Sequence, residues 1–467
     1  MSRTDAVAPP PEDLEDIALG EDYALTAGFV EMVVDAADAG DGLRLRQLVE
    51  GLHPADVADL MGFLTAEHRA MVVLWLPPDV LADTLPELDD GIREEVLERV
   101  APGTLAEALQ ELDSDDAAAL VEDLEADQRQ AVLAAMPDVD RAAIETSLAY
   151  GEDTAGRLMQ REVMAAPQFW SVGDTIDHLR QQGDDLPELF FDIYVIDPGA
   201  RPVGGIPVSR LLRTRRDVKL AELMEPVNEI AVDLDQEEVA YIFEKYHLIS
   251  APVVDEGGRL VGQITVDDIV NIIQEENRED ILRLAGVADE GRDASTYGVV
   301  RSRLPWLVIN LLTALFASVV IAQFRDEIER LVALAVLMPI VASIGGNAGA
   351  QALAVAVRAL ATREINASNI VRIIAREVRV GLLNGLVVGL LLAAATGLWF
   401  RDLGLAGVIG AAVVINMAAA ALSGALVPLT LDRLGRDPAV SSPVFVTTVT
   451  DVVGFFSFLG LAGLILL

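Results

Sequence analysis

Five apolar stretches fill the last third of this chain, at about Leu304–Phe324, Leu331–Leu360, Val380–Phe400, Leu405–Leu431 and Pro443–Leu467. Each is long enough to cross a hydrocarbon core ~30 Å thick, which predicts a transmembrane domain of five helices. Arginine placement sets the orientation. Arg301 and Arg303 precede the first span, Arg363, Arg372, Arg376 and Arg379 separate the second from the third, and Arg433 and Arg436 separate the fourth from the fifth. The opposite side holds only Arg325, Arg330 and Arg401, the first two beside Asp326, Glu327 and Glu329. Basic loops stay inside, so the N-terminal half is expected in the cytoplasm and the C-terminus outside.

One acid, Asp451, sits deep in an apolar run. A carboxylate there costs a few kcal/mol or more and normally marks an ion or substrate path. Thr447, Thr448 and Asp451, at i, i+1 and i+4, can line one helix face. A carboxylate with hydroxyls is hard oxygen chemistry suited to Mg²⁺, Mn²⁺ or Ca²⁺, and Mg²⁺ would keep much of its water. The competing reading is a structural Asp paired across helices. The second span carries Pro339 and then Gly345-Gly346-Asn347-Ala348-Gly349-Ala350-Gln351. Its glycines permit either close helix contact or a local break lining a wet cavity, and Asn347 and Gln351, four apart, share a face. Asn310, Asn384 and Asn416 read as interhelical hydrogen bonders.

Charge divides the chain. Its 467 residues hold 74 acids and 34 bases, net −40, yet mean hydropathy is +0.38. From Arg301 onward there are roughly 12 Arg and 9 acids, which leaves roughly −43 on residues 1–300. Such a polyanion repels nucleic acid. With no cysteine, disulfides, thiolate metal sites and Cys nucleophiles are excluded. Residues 1–22, with Pro9-Pro10-Pro11 and a run of acids from Glu12, read as a disordered tail and not as a cleavable signal peptide.

From about residue 23 to 155 the spacing is helical throughout, with breaks at Leu76-Pro77-Pro78, Ala101-Pro102-Gly103 and Met136-Pro137. Leu81-Ala82-Asp83-Thr84-Leu85 and Leu105-Ala106-Glu107-Ala108-Leu109 open similar segments, which suggests stacked helix pairs. Most acids of this acidic N domain read as a solvated face. Residues 156–274 turn to short β-branched runs, Ile193–Ile196, Ala251–Val254 and Leu260–Ile264, mixed with helical stretches. Leu158-Met159 with Val203-Gly204-Gly205-Ile206-Pro207 is echoed by Leu223-Met224 with Val261-Gly262-Gln263-Ile264-Thr265. This resembles a tandem pair of CBS domains, split at about 156–218 and 219–274. Such pairs sense adenine nucleotides or ions. Thr265-x-x-Asp268 resembles the ribose-contacting motif of that family, which implies ATP as a ligand, while Pro207 and Arg210 replace it in the first copy. A charged connecting (plug) helix follows, over about 275–300. Glu276, Glu279 and Asp280 share one face of it, an arrangement that repels unless a cation sits there; a solvated linker is the alternative.

Taken together, the chain resembles the MgtE family of magnesium channels and transporters over nearly its whole length. The matching runs are Gly345-Gly346-Asn347-x-Gly349-x-Gln351, Arg358-Ala359-Leu360-Ala361-Thr362-Arg363 and Thr450-Asp451-x-x-Gly454. The resemblance implies a multi-domain membrane protein of the bacterial inner or plasma membrane: an all-α acidic N-terminal domain, an α/β CBS pair, a connecting helix and a five-helix transmembrane domain. It implies a homodimer in lipid whose axial pore holds hydrated Mg²⁺ at Asp451, with Thr447, Thr448, Asn347, Gly345, Gly346 and Gln351 around it. It further implies closure by cytosolic Mg²⁺ at Asp235, Glu237, Asp268, Glu276, Glu279 and Asp280, to which Asp59, Asp90 and Glu94 are added for the N domain. His247, Gln274 and Asn271 stand where acids are expected.

Other readings make less of these residues. An intramembrane protease lacks its ligands, since His53, His68, His178 and His247 all precede the spans and no HExxH occurs; no enzymatic activity is expected. A non-transporting CBS sensor of adenine nucleotide leaves Asp451 without a role. A transporter of Mn²⁺ or Co²⁺ is the nearest alternative, although the lack of Cys and of membrane His disfavours softer metals.

Overall fold

A computed structural model describes residues 17–20, 23–183, 186–187, 189–287, 296–365 and 368–467. The chain forms two compact units that part at Gln274 and Glu275. The tail expected over residues 1–22 falls largely outside the described residues, as does 288–295 of the expected connecting helix.

The first unit begins with ten helices among the described residues, from Ala27–Asp38 to Asp138–Ser147. Local chemistry starts them: Thr26, Asp41 and Thr65 accept backbone N–H bonds as N-caps, and Pro54, Pro78 and Pro102 open theirs. The echo seen in the sequence is structural. Pro78–Thr84 and Pro102–Ala108 are equivalent short helices that bury Leu81 and Leu105 in one continuous apolar core. A helix leaves its last carbonyls unpaired, and here arginines from the following helix cover them. Arg69 donates to Leu64 O at 2.8 Å, and Arg129 to Val121 O at 2.9 Å and Leu124 O at 3.1 Å. These arginines therefore bind helix to helix inside an otherwise acidic domain.

Two three-stranded sheets follow among the described residues. In the first, β1 (Ala165–Pro167) runs parallel to β2 (Asp192–Ile196), and β2 runs antiparallel to β3 (Pro202–Pro207), with Ile193 opposite Ile206. In the second, β4 (Ile230–Ala231), β5 (Ser250–Val254) and β6 (Leu260–Thr265) repeat the pattern, with Ala251 opposite Ile264. The two halves are interlaced across the split at residues 218 and 219. Ala155 and Met159 pack in the core of the second sheet, whereas Leu220 and Leu223 pack in the core of the first. Gln160 exchanges backbone hydrogen bonds with Gln263 at 2.9 Å, as Glu225 does with Gly205 at 2.9 and 3.0 Å. Glycines permit this approach. A Cβ at Gly262 would lie 2.6 Å from Gln160 O, and one at Gly204 would lie 2.8 Å from Glu225 O. A buried chain from Tyr194 Oη to Ser250 Oγ and on to Asp192, each step 2.8 Å, ties the sheets together.

The connecting helix also departs from expectation. It starts at Val266, directly after β6, and ends at Leu284. Gly286 closes it at φ +70°, with Val287 N–H returning to Leu282 O at 2.9 Å.

Among the described residues of the second unit five helices are long and apolar enough to span a membrane, at Thr296–Gln323, Ala333–Ala361, Ile370–Phe400, Leu403–Arg433 and, within the helix Pro438–Ile465, Ser442–Ile465. A short helix, Arg325–Arg330, lies between the first two. The third helix begins well before Val380, so Arg372, Arg376 and Arg379 ride on it. The fourth span is the most buried and the first almost wholly exposed within the chain. Small residues bring the backbones together: a Cβ at Gly381 would lie 2.8 Å from Met417 O, and one at Gly389 would lie 2.7 Å from Gly410 O. The second span is unbroken through Gly345 and Gly349. Of the two readings of those glycines, close contact is the one realised, since both are buried against neighbouring helices.

Candidate ion site and acidic clusters

On the fifth span Thr447 Oγ1 donates to Pro443 O at 2.9 Å, Thr448 Oγ1 to Val444 O at 2.6 Å and Thr450 Oγ1 to Thr447 O at 2.9 Å. Each hydroxyl proton is thus spent on the helix, which leaves oxygen lone pairs as acceptors. Thr450 is buried, Thr447 is exposed, and Thr448 and Asp451 are half-buried. Among the described residues no hydrogen bond or ion pair reaches the Asp451 carboxylate. Among the described residues it therefore has no partner across helices.

On the second span Ser343, Asn347 and Gln351 are exposed and follow one another at four-residue intervals, forming a polar stripe at membrane depth. Gly346 has open space around it. Gly345, expected among the ion-site residues, points elsewhere: a Cβ on it would collide with the Asn416 amide of the fourth span. It serves helix packing.

Where the fifth span begins, Asp437 caps the helix by accepting from Ala439 N at 2.7 Å. Arg283 of the connecting helix donates to Asp437 at 2.9 Å and also pairs with Glu279. Burial, with Asp437 and Glu276 nearby, holds the Asp280 carboxyl above the usual carboxylate range despite Arg283; Glu279 is raised for similar reasons. The cation that the stacked acids of this helix call for is supplied in part by Arg283, one turn beyond Glu279. That i, i+4 spacing is visible in the sequence.

A second acidic cluster lies within the first unit. Thr265 Oγ1 donates to Asp268 at 3.0 Å, and Asp115 and Asp116 of the N domain face the same carboxylate. Burial first, and then Asp267 and Asp116, push Asp268 up to about 7. Asp116 is pushed up to about 6 by burial and by Asp113, Glu87 and Asp267, and Asp115 is raised well above its ordinary value. Like charges forced together in this way hold their protons more tightly. The N-domain acids named from sequence are elsewhere. Asp59, Asp90 and Glu94 are exposed, and Asp90 is held by Arg93 at 2.8 Å. Asp235 caps the helix Gln236–Tyr246 by accepting from Glu237 N at 3.0 Å, and Glu237 lies in its first turn. His247 ends that helix in the left-handed conformation at φ +53°, a role set by backbone geometry.

Family models match three segments: a divalent cation transporter over residues 338–461, the MgtE intracellular N domain over 52–153 and a CBS domain over 220–275. The magnesium transporter MgtE of Thermus thermophilus is 36% identical over 440 residues, 92% of this chain and 97% of that one. The magnesium transporter MgtE of Bacillus subtilis is 31% identical over 420 residues, 89% and 93% of the two chains. The chain belongs to the MgtE family. A crystal structure of the cytosolic domain of the Mg²⁺ channel MgtE in complex with ATP is 34% identical, with a TM-score of 0.49, and covers 52% of this chain and 99% of that one.

As a member of the MgtE family the chain is a multi-pass membrane protein. Sequence reasoning does not find the pair Asp115 and Asp116. They sit in a run of acids, Asp113-Ser114-Asp115-Asp116, that looks like any solvated face until the docking of Ser114 is seen. Ser114 N and Oγ both donate to Glu162, at 3.2 and 2.8 Å, and the Arg161 N–H returns to Ser114 Oγ at 2.8 Å. No local signal in the sequence marks that contact.

Proposed function

We propose that two copies of this chain form a Mg²⁺ channel or transporter of the plasma membrane, with the N-terminal half in the cytoplasm and Asp451 at the ion site. One observation carries the reading: a carboxylate at membrane depth that has no partner among the described residues, together with an exposed polar stripe on the second span. Polar side chains do not face lipid without cost. A second copy turned to this face would cover Ser343, Asn347 and Gln351 and enclose a wet path, where carboxylate and hydroxyl oxygens hold a hydrated ion through its waters.

The absence of cysteine makes the test clean. Single Asn347→Cys and Gln351→Cys variants should react with charged, water-soluble thiol reagents and lose Mg²⁺ flux on reaction. Leu386→Cys, exposed on the third span, should remain unreactive. Equal reactivity at the three positions would place the path elsewhere.

The two acidic clusters support closure by cytosolic Mg²⁺ as the mode of regulation. Clustered carboxylates repel at low Mg²⁺, and bound ions remove the repulsion; each site acts through its differential affinity for the closed state. Protons do the same work, with a definite sign. Asp116 and Asp268 titrate above their ordinary value, so the N–CBS arrangement of this structure, read as the closed one, binds extra protons. Its stability is complete in acid and falls as pH rises through about 6 and about 7. In metal-free full-length protein, protease protection near Asp115 should therefore be greater at pH 5 than at pH 8, and saturating Mg²⁺ should erase the difference. A pH response that Mg²⁺ leaves intact would remove this cluster from the sensor.

ATP at Thr265 and Asp268 is a second reading, carried by their 3.0 Å hydrogen bond. Because Asp115 and Asp116 face the same carboxylate, a ribose there competes with the closed cluster.

A further inference from the structure

We infer that Asn416 is a positioning residue that sets the spacing of the ion path between the second and fifth spans. The inference rests on the reading of Asp451 as the ion site. Asn416 lies on the fourth span and is 1% exposed. Its Nδ2 donates to Val341 O of the second span at 3.0 Å. The amide fills the space where Gly345 would carry a Cβ, and a Cβ at Gly454 of the fifth span would lie 2.6 Å from the same Nδ2. One side chain thus touches the backbones of both helices that carry the polar residues. Gly345 stands two residues before Asn347, and Gly454 three residues after Asp451.

Stability alone does not account for an amide here. Asn416 Oδ1 is buried without a hydrogen-bond partner among the described residues, and an unmet buried acceptor is costly where no water can reach it. A leucine of similar volume would carry no such cost. What the amide supplies is direction. Its bond to Val341 O fixes the axial and rotational setting of the second span, and its contact with Gly454 fixes that of the fifth. Discrimination among hard cations depends on cavity size and ligand placement. A residue that holds these two helices at a set separation therefore acts on selectivity without touching the ion.

The test is the ratio of Mg²⁺ to Ca²⁺ flux in proteoliposomes, a readout that loss of folded protein does not move. Asn416→Leu and Asn416→Ala should each change that ratio by about tenfold, the scale of effect that misplacement by a fraction of an ångström produces at a site of this kind. Gly454→Ala, which pushes on the same amide, should move the ratio too, and combining it with Asn416→Leu should add little. Lower flux at an unchanged ratio in every variant that folds would overturn the proposal and leave Asn416 a packing residue. Asp451→Asn, run in parallel, separates the two readings. If that variant carries Mg²⁺ at the parent rate, the ion site itself is wrong, whatever the Asn416 variants do.

Discussion

Asp451→Asn is expected to reduce Mg²⁺ flux into proteoliposomes on the order of a hundredfold, the factor produced by about 2.7 kcal/mol of lost ion stabilisation. The substitution keeps the shape and removes the charge. Among the described residues no partner depends on that charge, so the helix packing should survive, and a neutral side chain at membrane depth is less costly to fold than a carboxylate. Asp451→Ala should be equally silent, with normal yield and oligomeric state. The threonines cannot substitute, because their hydroxyl oxygens carry no charge and hold a hydrated divalent ion weakly. Flux at the parent rate in both variants would return Asp451 to a structural role.

The second large effect concerns regulation. Neutralising the acidic face of the connecting helix with Glu276→Gln, Glu279→Gln and Asp280→Asn should raise the Mg²⁺ concentration for half-closure by about tenfold or more, since each tenfold step needs only about 1.4 kcal/mol of differential binding. Arg283 would then keep Asp437 as its partner but lose Glu279. The acids around it would no longer have to choose between an internal cation and a bound one. Measuring flux against cytosolic-side Mg²⁺ in the parent and the triple variant decides the matter. Identical inhibition curves would show that these carboxylates do not sense the ion.

The five spans are legible in the sequence because twenty apolar residues in a row have few other fates, and Asp451 stands out against them. The helical N domain is readable from its prolines and spacing. The acids of that domain cannot be sorted in the same way: Asp59, Asp90 and Glu94 look no different from Asp115 and Asp116 until the contact of Ser114 with Glu162 brings the latter pair to Asp268. Contacts between residues far apart in the chain leave no periodic trace. The glycines of the second span are ambiguous for a related reason. Whether Gly345 frees a carbonyl or admits a neighbour depends on Asn416, which lies on another helix.

The interlaced sheets have a consequence of their own. Because Met159 is seated in one sheet and Leu220 in the other, each half carries a strap that fastens its twin, and neither can tilt without dragging the other. A chain cut in the loop near Arg215 would still leave two clasped fragments. A displacement of either half is therefore passed to the other through these straps.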